Sequence, residues 1–561
     1  MLLSAERTPR KSGGSSWTNE FHASTNQQGE VQMKVFKPII STALFAGMMF
    51  CAIMAFSFPA FGSGPKGMVY NIVVPKQINL LYDPTYHCWV PDSVGTVRCI
   101  IVHQHGCTRE GDGPQMTNDV QWLTLAKKWH AAFIAPSLIT GAPGSGSSTC
   151  NNWDDMNNGS GNTYLAALDS LALRSNHPEI RTVPWALWGH SGGAFWVTAM
   201  TAKYPARIAA TIAQSGSSSM STVAAALKVP VLHHNGNPDL LNNSAEYDNG
   251  RNKGALWAYA INPKVTWVSN PNAQPPSMMG HAPRDLRMIA IPWLDACLTS
   301  RLPDQAGASA LKDMDTTNAW LGDTITKVIA PAAGYTGNKL RTGWFPNQYL
   351  AGLWKQYQAE GTILDSTPPP APVNLTGTYS NRQIKLNWDC DADLESGIKT
   401  FIIYRNDKAF DTLKYTTVTL FTLEKGFQRW QDGDQPDPSP APAMTYTDNS
   451  VTDTGTYRYQ ISSVNWSSLA GPKSVALGLN RGQVTGSNTP PMVSQASRMT
   501  HSVCRLVGNG RIALSEGTVD IYDLRGRVLK TVEIRTAGMV DVKALLGFTA
   551  EKVLMMKSRT R

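Results

Sequence analysis

Short apolar runs alternate with amphipathic stretches along residues 69–297. The runs are short and β-branched, as in buried strands, and the stretches between them have helical periodicity. Strict alternation predicts an α/β fold, a doubly wound and mostly parallel sheet with helices on both faces, whose ligand site lies beyond the carboxyl ends of the strands. The predicted strands are 98–103, 132–135, 183–188, 208–212, 229–233 and 264–268, and the predicted helices are 119–131, 163–175, 193–204, 222–227, 245–260 and 284–298.

The pattern changes after this region. Apolar positions within 303–360 predict a helix that straps the end of the α/β domain. The proline-rich segment 365–372 predicts a semi-rigid polyproline II spacer that holds its neighbours apart. Short alternating strands follow, as in a β-sandwich. The expected domains are a leader (1–62), an α/β catalytic domain (63–365), a β-sandwich (366–480), a polar linker (481–497) and a small C-terminal β domain (498–561).

The leader has the layout of a signal peptide. Lys34 and Lys37 precede an uncharged apolar stretch, 38–60, which is followed by small residues. Met33 stands directly before Lys34, so we expect natural synthesis to start there. The apolar stretch is also long enough to span a bilayer, which leaves an uncleaved anchor as an alternative. Either way the remainder is expected to be exported from a bacterial cell, to the medium or the cell surface.

The charge distribution argues against a nucleic-acid partner. The formal net charge is +9, but the leader and the C-terminal domain together account for +8 of it, so residues 63–497 are nearly neutral. A basic stripe across the main domain is therefore not expected. Membrane contact is expected only through an uncleaved leader or through surface attachment of the C-terminal domain, and the oligomeric state stays open.

Cysteine usage is compatible with export. Cys51 lies in the leader, and the other seven cysteines would mature in an oxidising compartment, where disulfides form. Cys88 and Cys99 flank a turn-like stretch, and Cys107 and Cys150 each lie in a loop, but connectivity does not follow from sequence. No pair has CxxC spacing, so a zinc site is not expected.

The pattern G-x-S-x-G occurs at residues 189–193, between a predicted strand and a predicted helix. Chance alone would give the pattern about 0.3 times in a chain of this composition. The pattern is therefore informative only because a predicted strand precedes it and a predicted helix follows it. A tight strand-to-helix turn needs glycines beside the serine and exposes its hydroxyl at the sheet edge. We therefore expect Ser191 to be a nucleophile.

A serine nucleophile needs a base and a carboxylate that orients the base. Asp239 follows one later strand run, and His281 follows the last run and precedes a helix. The order Ser, Asp, His resembles the α/β-hydrolase fold, which implies Asp239 as the orienting acid and His281 as general base and then acid. Glu246 remains a rival for the acid, and His234 for the base.

Acyl transfer also needs donors for a developing oxyanion, usually two backbone N–H groups. Gly192 follows the nucleophile, and the second donor is expected from Cys107 in the loop after strand 98–103. The run His105-Gly106-Cys107-Thr108, with Cys150-Asn151-Asn152-Trp153, resembles the catalytic domains of secreted polyhydroxyalkanoate depolymerases and of feruloyl and acetylxylan esterases. The resemblance implies a disulfide between Cys107 and Cys150 that braces the oxyanion loop. The Gly-His-Ser-Gly-Gly elbow departs from the Ser-Ala-Gly or Ser-Ser-Gly elbows common among the depolymerases.

Two further resemblances concern the β regions. The runs Leu386-Asn387-Trp388, 403–406 and 457–465 resemble a fibronectin type III module. Residues 518–529, Thr-Val-Asp-Ile-Tyr-Asp-Leu-Arg-Gly-Arg-Val-Leu, resemble a C-terminal sorting domain of the bacterial type IX secretion system, although the end of the chain departs from the usual closing strand. An accessory β domain is the alternative.

These observations predict an exported serine ester hydrolase that acts on an ester substrate outside the cell. The accessory β domains favour a polymeric substrate, first an acylated plant polysaccharide, then polyhydroxyalkanoate, then a peptide. A surface- or carbohydrate-binding protein on an inactive scaffold is the alternative from another class. His103 and His105 are expected as core residues rather than metal ligands.

Overall fold

The computed structural model describes most of the chain between residues 64 and 480 and the backbone of seven short strands beyond it. The described residues are 64–77, 79–139, 150, 152–236, 240–263, 283–413, 426–428, 443–452 and 456–480, with strands at 486–487, 506–507, 511–514, 517–522, 528–534, 538–541 and 555–559.

The first domain is built on an eight-stranded sheet with the order β1-β2-β4-β3-β5-β6-β7-β8. Of these eight strands, β2 runs antiparallel to its neighbours and the others are parallel to one another. This order and direction confirm the predicted α/β-hydrolase fold class. The strands are β1 (Gly67–Val73), β2 (Thr85–Pro91), β3 (Cys99–Gln104), β4 (Ala131–Ser137), β5 (Trp185–His190), β6 (Ile208–Gln214), β7 (Val231–Gly236) and β8 (Trp257–Asn262).

Helices cover both faces of this sheet. The helices are α1 (Asp112–Met116), α2 (Val120–Lys128), α3 (Ser160–Ser175), α4 (Gly192–Lys203), α5 (Leu240–Asn252), α6 (Pro283–Arg301) and α7 (Gln348–Glu360). Alternate residues of β3 belong to different cores: Ile101 packs with residues of α2, α6 and α7, and Ile100 packs with residues of α3 and α4. Because both faces are buried, β3, β5 and β6 are buried along their whole length, as the continuous apolar runs predict.

Two predicted elements are wrong. The stretch 222–227 is a turn followed by one 3₁₀ turn, Ala226–Lys228, rather than a helix. The predicted helix 245–260 ends at Asn252, and its second half is strand β8, because Gly254 takes a φ of +81° that breaks the helix. The predicted strand 264–268 lies outside the described residues.

A small three-stranded sheet and α7 close the first domain. The strands are β9 (Trp320–Asp323), β10 (Ile329–Pro331) and β11 (Thr342–Phe345), in the order β10-β9-β11. Helix α7 buries Leu350, Leu353 and Trp354 in the same core as Ile101, so the predicted strapping helix is confirmed.

The second domain is a β-sandwich of two four-stranded sheets, and the C-terminal region forms two three-stranded sheets. The orders are β16-β13-β12-β19 and β15-β14-β17-β18, then β20-β21-β24 and β23-β22-β25. The strands are β12 (Val373–Ser380), β13 (Gln383–Asp389), β14 (Thr400–Arg405), β15 (Lys408–Leu413), β16 (Thr445–Asp448), β17 (Thr456–Val464), β18 (Leu477–Asn480), β19 (Gly486–Ser487), β20 (Leu506–Val507), β21 (Arg511–Leu514), β22 (Gly517–Tyr522), β23 (Val528–Ile534), β24 (Gly538–Asp541) and β25 (Met555–Arg559).

The sandwich docks directly on α2, whereas the proline-rich segment predicts separation. Val120 is buried in the sandwich core. Thr124 Oγ1 accepts a hydrogen bond from the Ala392 N–H at 2.9 Å, and the Lys127 ammonium lies 2.7 Å from the Asp391 carboxylate. The segment therefore links two domains that are in contact. In the part of the chain that the structure describes, no helix has the length and apolarity needed to cross a bilayer.

Candidate active site

Ser191 occupies the turn between β5 and α4. Its φ is 51° and its ψ is −118°, a conformation that L-residues rarely adopt. The Ser191 N–H donates to the Gln214 carbonyl at 2.8 Å, and the Ser191 carbonyl accepts from the Ala194 N–H at 2.9 Å. Hydrogen bonds on both sides therefore hold the residue in this conformation at the carboxyl edge of the sheet.

The glycines of the motif are required by close backbone contacts. A Cβ atom on Gly189 would overlap the Gly193 carbonyl oxygen, and a Cβ atom on Gly193 would overlap the carbonyl oxygens of Gln104 and His105. Backbone atoms cannot rotate away as a side chain can, so both positions exclude any side chain. The motif thus has the strand–turn–helix setting that a nucleophile elbow needs.

The two residues predicted to donate to an oxyanion are brought together. Gly192 is the first residue of α4, so its N–H has no intrahelical acceptor. A Cβ atom on Gly192 would overlap the sulfurs of Cys107 and Cys150, which places the loop that carries Cys107 against the helix start. Cys107 and Cys150 form a disulfide with a Cα–Cα distance of 5.0 Å, as the resemblance implied. The Cys88 and Cys99 thiols are free and buried.

His105 stabilises the loop that carries Cys107, and it does so as a neutral residue. Its Nε2 atom accepts from the Leu138 N–H at 3.0 Å, so the proton lies on Nδ1, which donates to the Gly106 carbonyl at 2.6 Å. Burial lowers the pKa of His105 to about 4. His103 stacks on Trp188 with ring centroids 4.1 Å apart. Both histidines are buried, as expected of core residues.

The predicted acid and base, Asp239 and His281, lie outside the described residues, so their contacts with Ser191 stay a prediction. The flanking elements are described. Strand β7 ends at Gly236 and α5 begins at Leu240, so this connection leaves the carboxyl edge of the sheet.

Helix α6, which begins two residues after His281, starts at the same edge. Arg287 in its first turns lies 2.7 Å from Asp119, the N-cap of α2, and both side chains are fully buried. At the other end of α6, Arg301 donates to the Ile208 carbonyl at 2.8 Å, at the start of β6. The helix therefore runs from the carboxyl edge of the sheet to the amino edge.

The two rival residues are occupied by structural contacts. Glu246 accepts from the Met220 and Ser221 N–H groups at 2.5 Å and from the Ser221 hydroxyl at 3.0 Å. His234 Nε2 lies 2.7 Å from the Tyr357 hydroxyl, and burial lowers the pKa of His234 to about 3. A base with so low a pKa would accept protons poorly at neutral pH, which disfavours His234.

Phe195 is a neighbour of Ser191 that the motif does not reveal. It lies one helical turn after Ser191, and its ring lies close to the buried Gly216. The Phe195 side chain is 41% exposed. Its only sequence signal is the spacing of four residues, which places it on the same face of α4 as Ser191. Trp153, in contrast, is buried against His105 with ring centroids 5.3 Å apart.

Comparison with known proteins gives partial likenesses in structure. No family model and no curated protein sequence matches the chain. A thermostable esterase is 16% identical, with a TM-score of 0.26 over 35% of this chain and 54% of the esterase, so the chain spans about half of that protein. A dienelactone hydrolase from Anabaena variabilis is 17% identical, with a TM-score of 0.25 over 36% of this chain and 88% of the hydrolase. A Fn3-like protein from Clostridium thermocellum is 17% identical, with a TM-score of 0.13 over 20% of this chain and 94% of its own.

Proposed function

We propose that the protein is a serine ester hydrolase that works through an acyl-enzyme. The observation that carries the proposal is the turn at Ser191. Its backbone is strained, Gly189 and Gly193 beside it have no room for a side chain, and the disulfide-linked loop packs against Gly192. Backbone strain of this kind persists only where the surrounding structure enforces it, and it is concentrated at functional sites.

In the proposed reaction Ser191 Oγ attacks the ester carbonyl while His281 takes the hydroxyl proton. The N–H groups of Gly192 and Cys107 receive the oxyanion, and Asp239 stabilises the imidazolium. The tetrahedral intermediate expels the alcohol, which leaves with the proton from His281. Water then attacks the acyl-enzyme by the same route and releases the acid and the free serine. The steps need no cofactor.

The substrate class rests on the domains around the site. The leader and the sorting-like C-terminal domain that the sequence predicts, together with the β-sandwich, favour a polymer outside the cell. We propose an acylated plant polysaccharide, at the cell surface or in the medium. Polyhydroxyalkanoate and peptides are the other substrates that this chemistry would allow.

Hydrolysis of p-nitrophenyl acetate tests the proposal. Wild-type protein should release p-nitrophenolate, and Ser191→Ala should lose at least about a thousandfold in kcat. Ser219→Ala, on an exposed loop residue, is the matched control and should keep full activity. Equal activity in wild type and Ser191→Ala would remove the nucleophile. Release of acetate or ferulate from xylan, compared with clearing of a polyester suspension, separates the substrate classes.

A further inference from the structure

Helix α7 covers the edge of the main sheet that strand β8 forms. Strand β8 is the last strand in the order, so one side of it has no neighbouring strand among the described residues. The Gln358 side chain replaces that neighbour: its Oε1 accepts from the Ile261 N–H at 3.1 Å, and its Nε2 donates to the Tyr259 carbonyl at 3.1 Å. Trp354 Nε1 donates to the same carbonyl at 2.7 Å. These contacts hold α7 against β8 and satisfy polar groups at its edge.

One residue of α7 reaches further, to the carboxyl end of the sheet. The Tyr357 hydroxyl lies 2.7 Å from His234 Nε2 on β7 and 3.2 Å from Asn262 Nδ2, the amide of the last residue of β8. An amide N–H only donates, so the hydroxyl accepts from Asn262 and gives its own proton to His234. All three side chains are buried, where such bonds are strongest and most costly to lose.

The bridge joins the two strands from which the predicted acid and base follow. Strand β7 ends three residues before Asp239, and β8 is the last described strand before His281. A carboxylate orients an imidazole only if the two loops keep their relative positions, and small displacements lower the rate strongly.

We propose that Tyr357 is a positioning residue, whose hydroxyl fixes the ends of β7 and β8 relative to each other, the strand ends from which the chain continues to Asp239 and His281. The inference rests on the proposed function. Tyr357 touches no reacting atom and acts through the two strand ends. It also gives α7 a role in catalysis beyond closing the core.

Tyr357→Phe removes the hydroxyl and keeps the ring, and it is compared with wild type on p-nitrophenyl acetate across pH. We expect kcat to fall about tenfold with KM nearly unchanged. The acid limb of the kcat/KM profile should move to lower pH, because an imidazolium less well paired with its carboxylate has a lower pKa. His234→Phe removes the same bond from the other end, and it should reproduce both effects.

Trp354→Phe is the control, since it removes a bond to β8 from the same helix but leaves the bridge intact. It should lower the melting temperature and leave the pH profile unchanged. Folded Tyr357→Phe and His234→Phe with wild-type kcat and an unmoved acid limb would overturn the inference, as would an equal limb shift in Trp354→Phe. Inactive wild type, or active Ser191→Ala, would instead overturn the proposed function. Active-site titration with a fluorophosphonate gives the fraction of reactive Ser191 in each variant that keeps this serine.

Discussion

The conformation of Ser191 predicts that glycine at this position gives a more stable protein than alanine. Within the described residues Ser191 makes no side-chain capping bond to α4, so either substitution removes the hydroxyl without removing a helix cap. At a φ of 51° and a ψ of −118° a residue with a Cβ is strained by about 1–3 kcal/mol. Glycine relieves this strain but loses about 0.5–1 kcal/mol in chain entropy. Ser191→Gly should therefore exceed Ser191→Ala in the free energy of unfolding by about 1 kcal/mol.

Thermal unfolding of the two variants checks this difference. For a domain of this size about 1 kcal/mol corresponds to about 2 °C in the melting temperature. Ser219 supplies the control: it is exposed and lacks a positive φ, so Ser219→Gly should be less stable than Ser219→Ala. If Ser191→Gly melts below Ser191→Ala, as at Ser219, the turn is unstrained and the reasoning about the elbow is wrong.

Three further predictions concern the disulfide, the domain junction and the elbow. Replacing Cys107 and Cys150 by serine should lower the free energy of unfolding by about 4 kcal/mol from a separation of 43 residues, and it should lower kcat, as measured by urea unfolding and esterase assay. Burial, followed by the charges of its neighbours Asp365 and Glu395, raises the pKa of Asp393 to about 8, so the stability that this carboxyl contributes should be lost as pH rises from about 4 to about 8, and the melting temperature of wild type should fall relative to that of Asp393→Asn over this range. Gly193→Ala should cost about 3 kcal/mol or more and abolish soluble expression.

Each of these has a contradicting outcome. An unchanged kcat in the variant with serine at positions 107 and 150 would show that the disulfide does not support the loop proposed to bind the oxyanion. A wild-type melting temperature that rises between pH 5 and pH 8, with the same slope in Asp393→Asn, would exclude an uncharged carboxyl at the junction. For the elbow, Gly352→Ala on α7 is the control, because nothing lies near its added Cβ. Equal stability of Gly193→Ala and Gly352→Ala would contradict the close backbone contacts.

The parallel sheet could be predicted because its strands are buried on both faces, so their apolar runs stand out. The ends of elements were less predictable. Strand β8 mixes aromatic residues and alanines, Trp257-Ala-Tyr-Ala-Ile-Asn, which are residue types that a helix also accepts. The polar run 251–253 and Gly254, with its positive φ, mark the change, but a short polar run also fits an exposed helix face, and an isolated glycine is a weak signal by itself.

The strand–turn–helix setting of Ser191 could be predicted because its local geometry resides in five consecutive residues. The Tyr357 bridge could not be predicted, because Tyr357 lies 123 positions from His234 and 95 positions from Asn262 in the sequence. The contact depends on how α7 lies on the sheet. The docking of the sandwich was missed for a similar reason. The proline-rich segment gives information only about the chain between the domains. The contact is made by Val120 and its neighbours on α2, and nothing in their sequence distinguishes them from other helix residues.

The burial of Val120 in the sandwich limits how the two domains can be exchanged between proteins. A side chain from the first domain completes the interior of the sandwich, so neither domain has a core that is complete by itself. A fragment cut at residue 365 would expose this valine and leave the Lys127 ammonium without the Asp391 carboxylate. Exchange of the sandwich for an unrelated module would therefore require compensating changes on α2, and the two units are expected to be inherited as a pair.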